Sequence, residues 1–225
     1  MARIPRIVVP GFPHHVTQRG NLQQDVFDSK IDRKIYMKLM SHYSSRYGTE
    51  IWVYCLMRNH VHFIAIPEKK DSLARTFNQA HSKYTQYWNR KHNIVGHLWH
   101  NRFFSVVLDE LHLLNATRYI ERNPVRAGIV KFAIDYQWSS ARAHVHNTYD
   151  SLLSKSSTLE KIIHEWLDFI EVEDDAVWIK KFKKQTLRGR PVGNKKFIKK
   201  VEKIIGQSLK VKPVGRPRKR RKRKR

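Results

Sequence analysis

Residues 51–66 read IWVYCLMRNHVHFIAI. Two runs rich in Ile, Val, aromatic residues and Leu, 51–56 and 61–66, flank the short turn Met57-Arg58-Asn59, which is the pattern of a β-hairpin. Upstream, His14-His15-Val16-Thr17-Gln18 predicts a short strand ended by Arg19-Gly20-Asn21. Between the two, Ser29 and Asp32 form a capping box ahead of Ile31, Ile35, Leu39 and Met40, a helical pattern that should run to Gly48. Downstream, Asp71-Ser72 opens a second helix carrying Leu73, Phe77, Tyr84, Tyr87 and Trp88, and a β-favouring run follows at 103–108. The order β-α-β-β-α-β predicts an α+β, ferredoxin-like domain, an antiparallel sheet with helices on one face and the other face free for a ligand.

A third helix is expected to begin near Asp109-Glu110, to carry Leu111, Leu114, Arg118 and Tyr119, and to end near Asn123, because Pro124 disfavours helical geometry in the residue before it. Beyond about 150 come short helical patterns, one acidic around 160–175 and one basic around 194–206. The expected organisation is one domain over 1–150, an accessory helical region over 151–206 and a disordered basic tail over 207–225. The acidic stretch is a candidate to fold back on that tail.

With 225 residues and 40% hydrophobic content the chain can bury one core of ordinary size. Its net charge of +26 is concentrated: residues 181–225 hold 21 Lys and Arg against one acid, Glu202. A segment of that density suits a polyanion, nucleic acid first, with a solvated tail or a membrane-surface tether as the alternatives. Cys55 is the single cysteine, so an internal disulfide and a cysteine-rich zinc cluster are both excluded. No apolar stretch approaches the roughly 18–20 residues that span a bilayer. The opening MARIPRIVVPGFP is interrupted by prolines before a signal-peptide core can form, so the expected location is cytoplasmic, with the nucleoid as its site of action.

In His60-Val61-His62 the two imidazoles lie at i and i+2 of a strand and share a face, where they could hold one metal ion or stand as ordinary sheet histidines. Four residues separate Tyr119 from Asn123, which puts a phenol and an amide on one helix face. Alternatively Tyr119 is a core aromatic and Asn123 a helix-end residue.

Three segments, HHVTQRGN at 14–21, CLMRNHVHFIAIP at 55–67 and RYIERNPVRAGIV at 118–130, together resemble the REP-associated tyrosine transposases, a branch of the single-tyrosine HUH, IS200-like transposases. The resemblance covers roughly residues 3–145, and GRPVGNKKFIKKVEKIIG with the later GRPRK is similar to that family's C-terminal region. It implies a metal-dependent tyrosine endonuclease and strand transferase that cleaves single-stranded DNA beside hairpins of repetitive extragenic palindromes, needing no protein partner. By the same resemblance His60 and His62 match the HUH pair, Tyr119 the nucleophile and Asn123 a third metal ligand, at a position where the wider group often has glutamine. The turn before the pair usually reads Met-Pro-Asn in this family, and here Arg58 stands at the proline position.

Two imidazoles, an amide and waters suit Mg²⁺ or Mn²⁺. Arg19, Arg58, Arg102, Arg118, Arg122 and Arg126 lie in or beside the motifs and are candidates to grip phosphate. His97 and His100 are left out of the metal site, with Trp99 or Phe103 offered for base stacking. Arg188-Gly189-Arg190-Pro191 and Gly215-Arg216-Pro217-Arg218-Lys219 look like AT-hook cores, with an unspecific basic tail as the alternative, and on the first reading Arg190 and Arg216 join the DNA-binding set. Two non-catalytic readings compete: an RNA-binding module on the same element order, which lacks its stacking aromatics in HVHFIAI, and a hairpin-binding protein that keeps the fold without turnover.

Overall fold

A computed structural model describes residues 6–209. Strands β1 (His14–Arg19), β2 (Thr49–Leu56), β3 (His60–Pro67) and β4 (Phe104–Val107) form one sheet in the order β2-β3-β1-β4. Every neighbouring pair is antiparallel. Helix α1 (Lys30–Arg46) joins β1 to β2 and α2 (Ser72–His92) joins β3 to β4, the βαββαβ order that the sequence predicts.

Local chemistry sets these boundaries. The Ser29 hydroxyl accepts from Asp32 N–H while the Asp32 carboxylate accepts from Ser29 N–H, satisfying two otherwise orphaned donors. Gly48, at φ +61°, carries the chain out of α1 in a conformation that other residues rarely adopt. The buried side of α1 is Asp32, Tyr36, Met40 and Tyr43, and Ile31, expected in the apolar stripe, is 64% exposed. Asp32 accounts for the rotation, since its carboxylate also accepts from Tyr87 and Lys91 of α2 and so must face inward.

The two sheet faces bury separate cores. On one, Val16, Val61, Phe63 and Ala65 meet Tyr36, Phe77 and Tyr84 of α1 and α2. On the other, Val53, Ile64 and Val106 meet α3 (Glu110–Glu121), with Phe182 in the same cluster. The second face was expected to lie open. Its apolar residues cannot face water cheaply, at about 1.5–3 kcal/mol for each large side chain buried, and later parts of the chain cover it. Those parts are α4 (Asn123–Arg126), α5 (Ala141–His146), α6 (Leu159–Ile162), α7 (Trp166–Glu171) and α8 (Ala176–Arg188), whereas α9 (Lys195–Ile205) packs elsewhere.

Both sheet edges are also met. Leu56 N–H donates to Trp138 O and Ser140 N–H to Tyr54 O along β2, while Val192 N–H donates to Val107 O beside β4. This last contact changes the reading of Arg188-Gly189-Arg190-Pro191. Gly189, at φ +64°, ends α8, Val192 bridges Leu108, and Arg190 Nη1 donates to Leu209 O, so the segment is tied to the rest of the fold at both ends. Helix α9 then docks Phe197, Val201 and Ile205 against Ile7, Val9 and Val107. Arg216 and residues 210–225 of the expected tail lie outside the described residues. Among the described residues no helix is long and apolar enough to cross a membrane.

Candidate active site on the second sheet face

The register of β1 and β3 sets Thr17 opposite His62 and Arg19 opposite His60, so His15, His60 and His62 all project from the second face. The rings of His60 and His62 lie 5.0 Å apart, nearly perpendicular. His60 Nδ1 is 2.7 Å from Asn59 Oδ1, and its Nε2 is 3.5 Å from the side-chain amide of Asn123. His62 Nδ1 is 2.9 Å from His15 Nε2, and His15 Nδ1 is 3.3 Å from Thr186 Oγ1 on α8.

Tyr119, on the last turn of α3, sets its ring edge-on to His62 at 5.6 Å and is only 4% exposed. Phe182 and Trp178 of α8 pack against it at 5.5 and 6.4 Å. The Arg126 guanidinium stands 4.2 Å over the ring and also donates to Tyr119 O and to Asp174. Helix α3 closes at Arg122, and a new helical turn starts at Asn123 with Pro124 in its first turn, where a missing N–H costs nothing. Pro124 thus starts a helix here, where the sequence suggested only a stop, and Asn123 comes to His60 across the junction.

Glu121 anchors this junction. Its carboxylate is fully buried and accepts from Ser140 Oγ at 2.6 Å, His144 Nδ1 at 2.7 Å and Trp166 Nε1 at 2.8 Å, tying α3 to α5 and α7. The acidic stretch contributes Asp174 here too, through Arg122 and Arg126, while residues 210–225 of the basic tail offered as its partner lie outside the described residues.

Burial dominates the electrostatics. It pushes His15 down to about 3 and His60 to about 4, the latter helped by Lys183, Arg126 and Arg19, and it holds His62 well below its ordinary value. All three rings are therefore neutral near pH 7 and keep a lone pair. Burial raises the Tyr119 phenol, against the opposing pull of Arg126.

The donor set that could hold a metal is the pair of His60 and His62 Nε2 atoms, whose Nδ1 atoms are already engaged, with Asn123 Oδ1 after a turn of its amide, since Nδ2 is the atom that faces His60 Nε2. Among the described residues no group of three or more His, Cys, Asp or Glu is arranged to hold a cation. Two nitrogens and one amide without a carboxylate fit a divalent ion that completes its shell with water or phosphate oxygen.

The arginines divide. Arg19, Arg58 and Arg102 are exposed, Arg58 beside Asp25 at 2.6 Å. Arg118 donates to Asn115 Oδ1, and Arg122 to the carbonyls of Ile170 and Glu171, so both have internal partners, as does Arg126. Trp99 and Phe103, proposed for stacking, are buried in the first core. Sequence reading missed His15, Thr186, Phe182, Asp174 and Glu121. The i, i+4, i+8 spacing of Trp178, Phe182 and Thr186 was a legible helix face.

The family profile described as "Transposase IS200 like" matches residues 9–123, just over half of the chain, which sets the four-stranded sheet with its paired histidines and helix-borne tyrosine in a DNA-processing class. The chain belongs to the IS200-like transposases. Its fold is similar to the solved structure of a REP-associated tyrosine transposase bound to a REP hairpin, with TM-score 0.57 and 18% identity over 69% of this chain and 93% of that one. A crystal structure from Deinococcus radiodurans R1 assigned to the transposases aligns at TM-score 0.38 and 14% identity, over 54% of this chain and 97% of that one. No curated protein sequence matches.

Proposed function

We propose that the protein is a metal-dependent tyrosine endonuclease and strand transferase, which cuts and rejoins single-stranded DNA beside hairpins of repetitive extragenic palindromes. The observation that carries this reading is the meeting of Tyr119, His62, His60 and Asn123 at one corner of the sheet, with Tyr119 edge-on to His62 and Asn123 at 3.5 Å from His60. Membership of the transposase family supports DNA processing, and the similar solved fold, bound to a REP hairpin, supports the substrate. Such a substrate puts the protein on the nucleoid.

The Tyr119 oxygen attacks phosphorus and gives up its phenolic proton to solvent. The bond from phosphorus to the 3′ oxygen breaks and that oxygen takes up a proton from solvent, leaving a free 3′-hydroxyl and a 5′-phosphotyrosine. Attack by a 3′-hydroxyl reverses the step without ATP, because the diester bond energy is conserved in the link. His60, His62 and Asn123 would hold Mg²⁺ or Mn²⁺, and the bound ion would supply positive charge against the charge that builds on the phosphate oxygens. Arg126, over the ring, favours the phenolate that burial disfavours. Arg19, exposed across from His60, grips the DNA backbone, with Arg58 and Arg102 on the neighbouring loops.

One observation favours the second reading, hairpin binding without turnover: Phe182 and Trp178 cover Tyr119. Incubating the protein with 5′- and 3′-labelled hairpin oligonucleotides in Mn²⁺, Mg²⁺ or EDTA separates the two. A metal-dependent cleavage product with a covalent adduct supports the enzyme. Tight binding with neither product in any condition supports the binding protein.

A further inference from the structure

Outside the proposed ligands, one buried group meets the site through a single bond whose direction matters. His15 Nε2 and His62 Nδ1 are 2.9 Å apart with the two rings nearly parallel, at 11°. Two imidazole nitrogens at that distance share one proton, so one donates and the other accepts. The far nitrogen of His15 faces Thr186 Oγ1, which can donate or accept.

Only two proton arrangements satisfy this line. In one, Thr186 O–H donates to His15 Nδ1, His15 Nε2–H donates to His62 Nδ1, and His62 carries its own proton on Nε2. In the other, His15 Nδ1–H donates to Thr186 Oγ1, His62 Nδ1–H donates to His15 Nε2, and His62 Nε2 is left with a bare lone pair. A metal ion can bind His62 Nε2 only in the second. His60 reaches the equivalent state through Asn59, whose Oδ1 can only accept from His60 Nδ1 at 2.7 Å.

We infer that His15 is a positioning residue that fixes the tautomer and ring orientation of His62, so that His62 Nε2 presents its lone pair to a divalent metal, with Thr186 of α8 as the terminal acceptor of the chain. The inference rests on the reading of His60 and His62 as metal ligands. Outer partners of this kind ordinarily alter metal affinity by about 10- to 100-fold when lost. Phe182, whose ring lies 4.9 Å from His15, holds the imidazole in place from the side of α8.

The test uses the full chain and does not need DNA. Mn²⁺ affinity is measured by electron paramagnetic resonance for wild type, His15→Phe, His15→Gln, Thr186→Val and His62→Ala. Long-range ¹H–¹⁵N correlation of the Zn²⁺-loaded protein assigns each ring proton. His15→Phe is expected to weaken Mn²⁺ about 10- to 100-fold, His15→Gln to restore most of the loss through its amide oxygen, and Thr186→Val to fall between. Wild-type His62 is expected to carry its proton on Nδ1. Unchanged affinity in His15→Phe, or His62 protonated on Nε2 in the loaded wild type, overturns the inference. Unchanged affinity in His62→Ala overturns the metal site itself, which keeps the two failures apart. If His15→Phe does not fold, the wild-type spectrum and Thr186→Val decide.

Discussion

Two histidines away from the candidate site give the fold a measurable acid sensitivity. His14 is fully buried, with Nδ1 donating to Phe12 O at 2.7 Å and Nε2 accepting from Val9 N–H at 3.2 Å, so both nitrogens are committed and the ring is neutral. His81 is buried under Trp99, with Nε2 at 2.8 Å from the Tyr36 hydroxyl. Burial pushes His14 down to about 4 and His81 down to about 3, from 6.5. Below pH 6.5 the unfolded chain takes up a proton at each position that the folded chain refuses, so stability present above 6.5 is lost as pH falls toward 4. Each histidine then contributes a slope of about 1.4 kcal/mol per pH unit, and the pair about 2.7. Integrated from pH 8 to 5.5, the pair costs about 3 kcal/mol, a large share of the roughly 5–15 kcal/mol that holds a domain together. Urea unfolding of wild type and of His14→Gln/His81→Gln, from pH 8 to 5, measures this directly. The double variant should lose stability with pH less steeply by about two protons' worth, whatever its stability at pH 8. Equal slopes would refute the reasoning, since both rings would then be protonated in the folded chain.

Glu121→Ala removes a buried acceptor of three hydrogen bonds and is expected to cost about 3–5 kcal/mol, which in a chain of this size lowers the melting temperature by roughly 10 °C or more in calorimetry. Gly20→Ala should destabilise by about 1–3 kcal/mol in the same assay, because its Cβ would overlap the Gln24 carbonyl oxygen. Arg126→Gln takes the cation from the Tyr119 ring and should slow adduct formation about five- to tenfold at pH 7, with Arg126→Lys recovering part of the rate.

The sheet was legible because strand alternation, the capping box at Ser29 and Asp32, and the turn at 57–59 are local signals that agree with one another. The histidine pair was legible for the same reason, since i and i+2 on a strand fix a shared face without knowledge of the rest. What lay beyond reach depends on contacts between distant parts of the chain. His14 and His15 are adjacent and identical in type, and only the register with β3 says which of them meets His62. Glu121 reads as a surface charge until Ser140, His144 and Trp166 converge on it. The helix α8 falls in what the sequence offers only as an accessory helical region, and its Trp178, Phe182 and Thr186 face acquires meaning only once it lies over Tyr119 and His15.

The central claim is that Tyr119 is the nucleophile, and mass spectrometry tests it most directly. The protein is incubated with a hairpin oligonucleotide and Mn²⁺, digested with nuclease and trypsin, and the tryptic peptide that contains Tyr119 is sequenced. The account predicts a nucleotide remnant linked through its 5′-phosphate to Tyr119, missing from EDTA controls and from Tyr119→Phe. A remnant on any other residue, or an undiminished adduct in Tyr119→Phe, would contradict it.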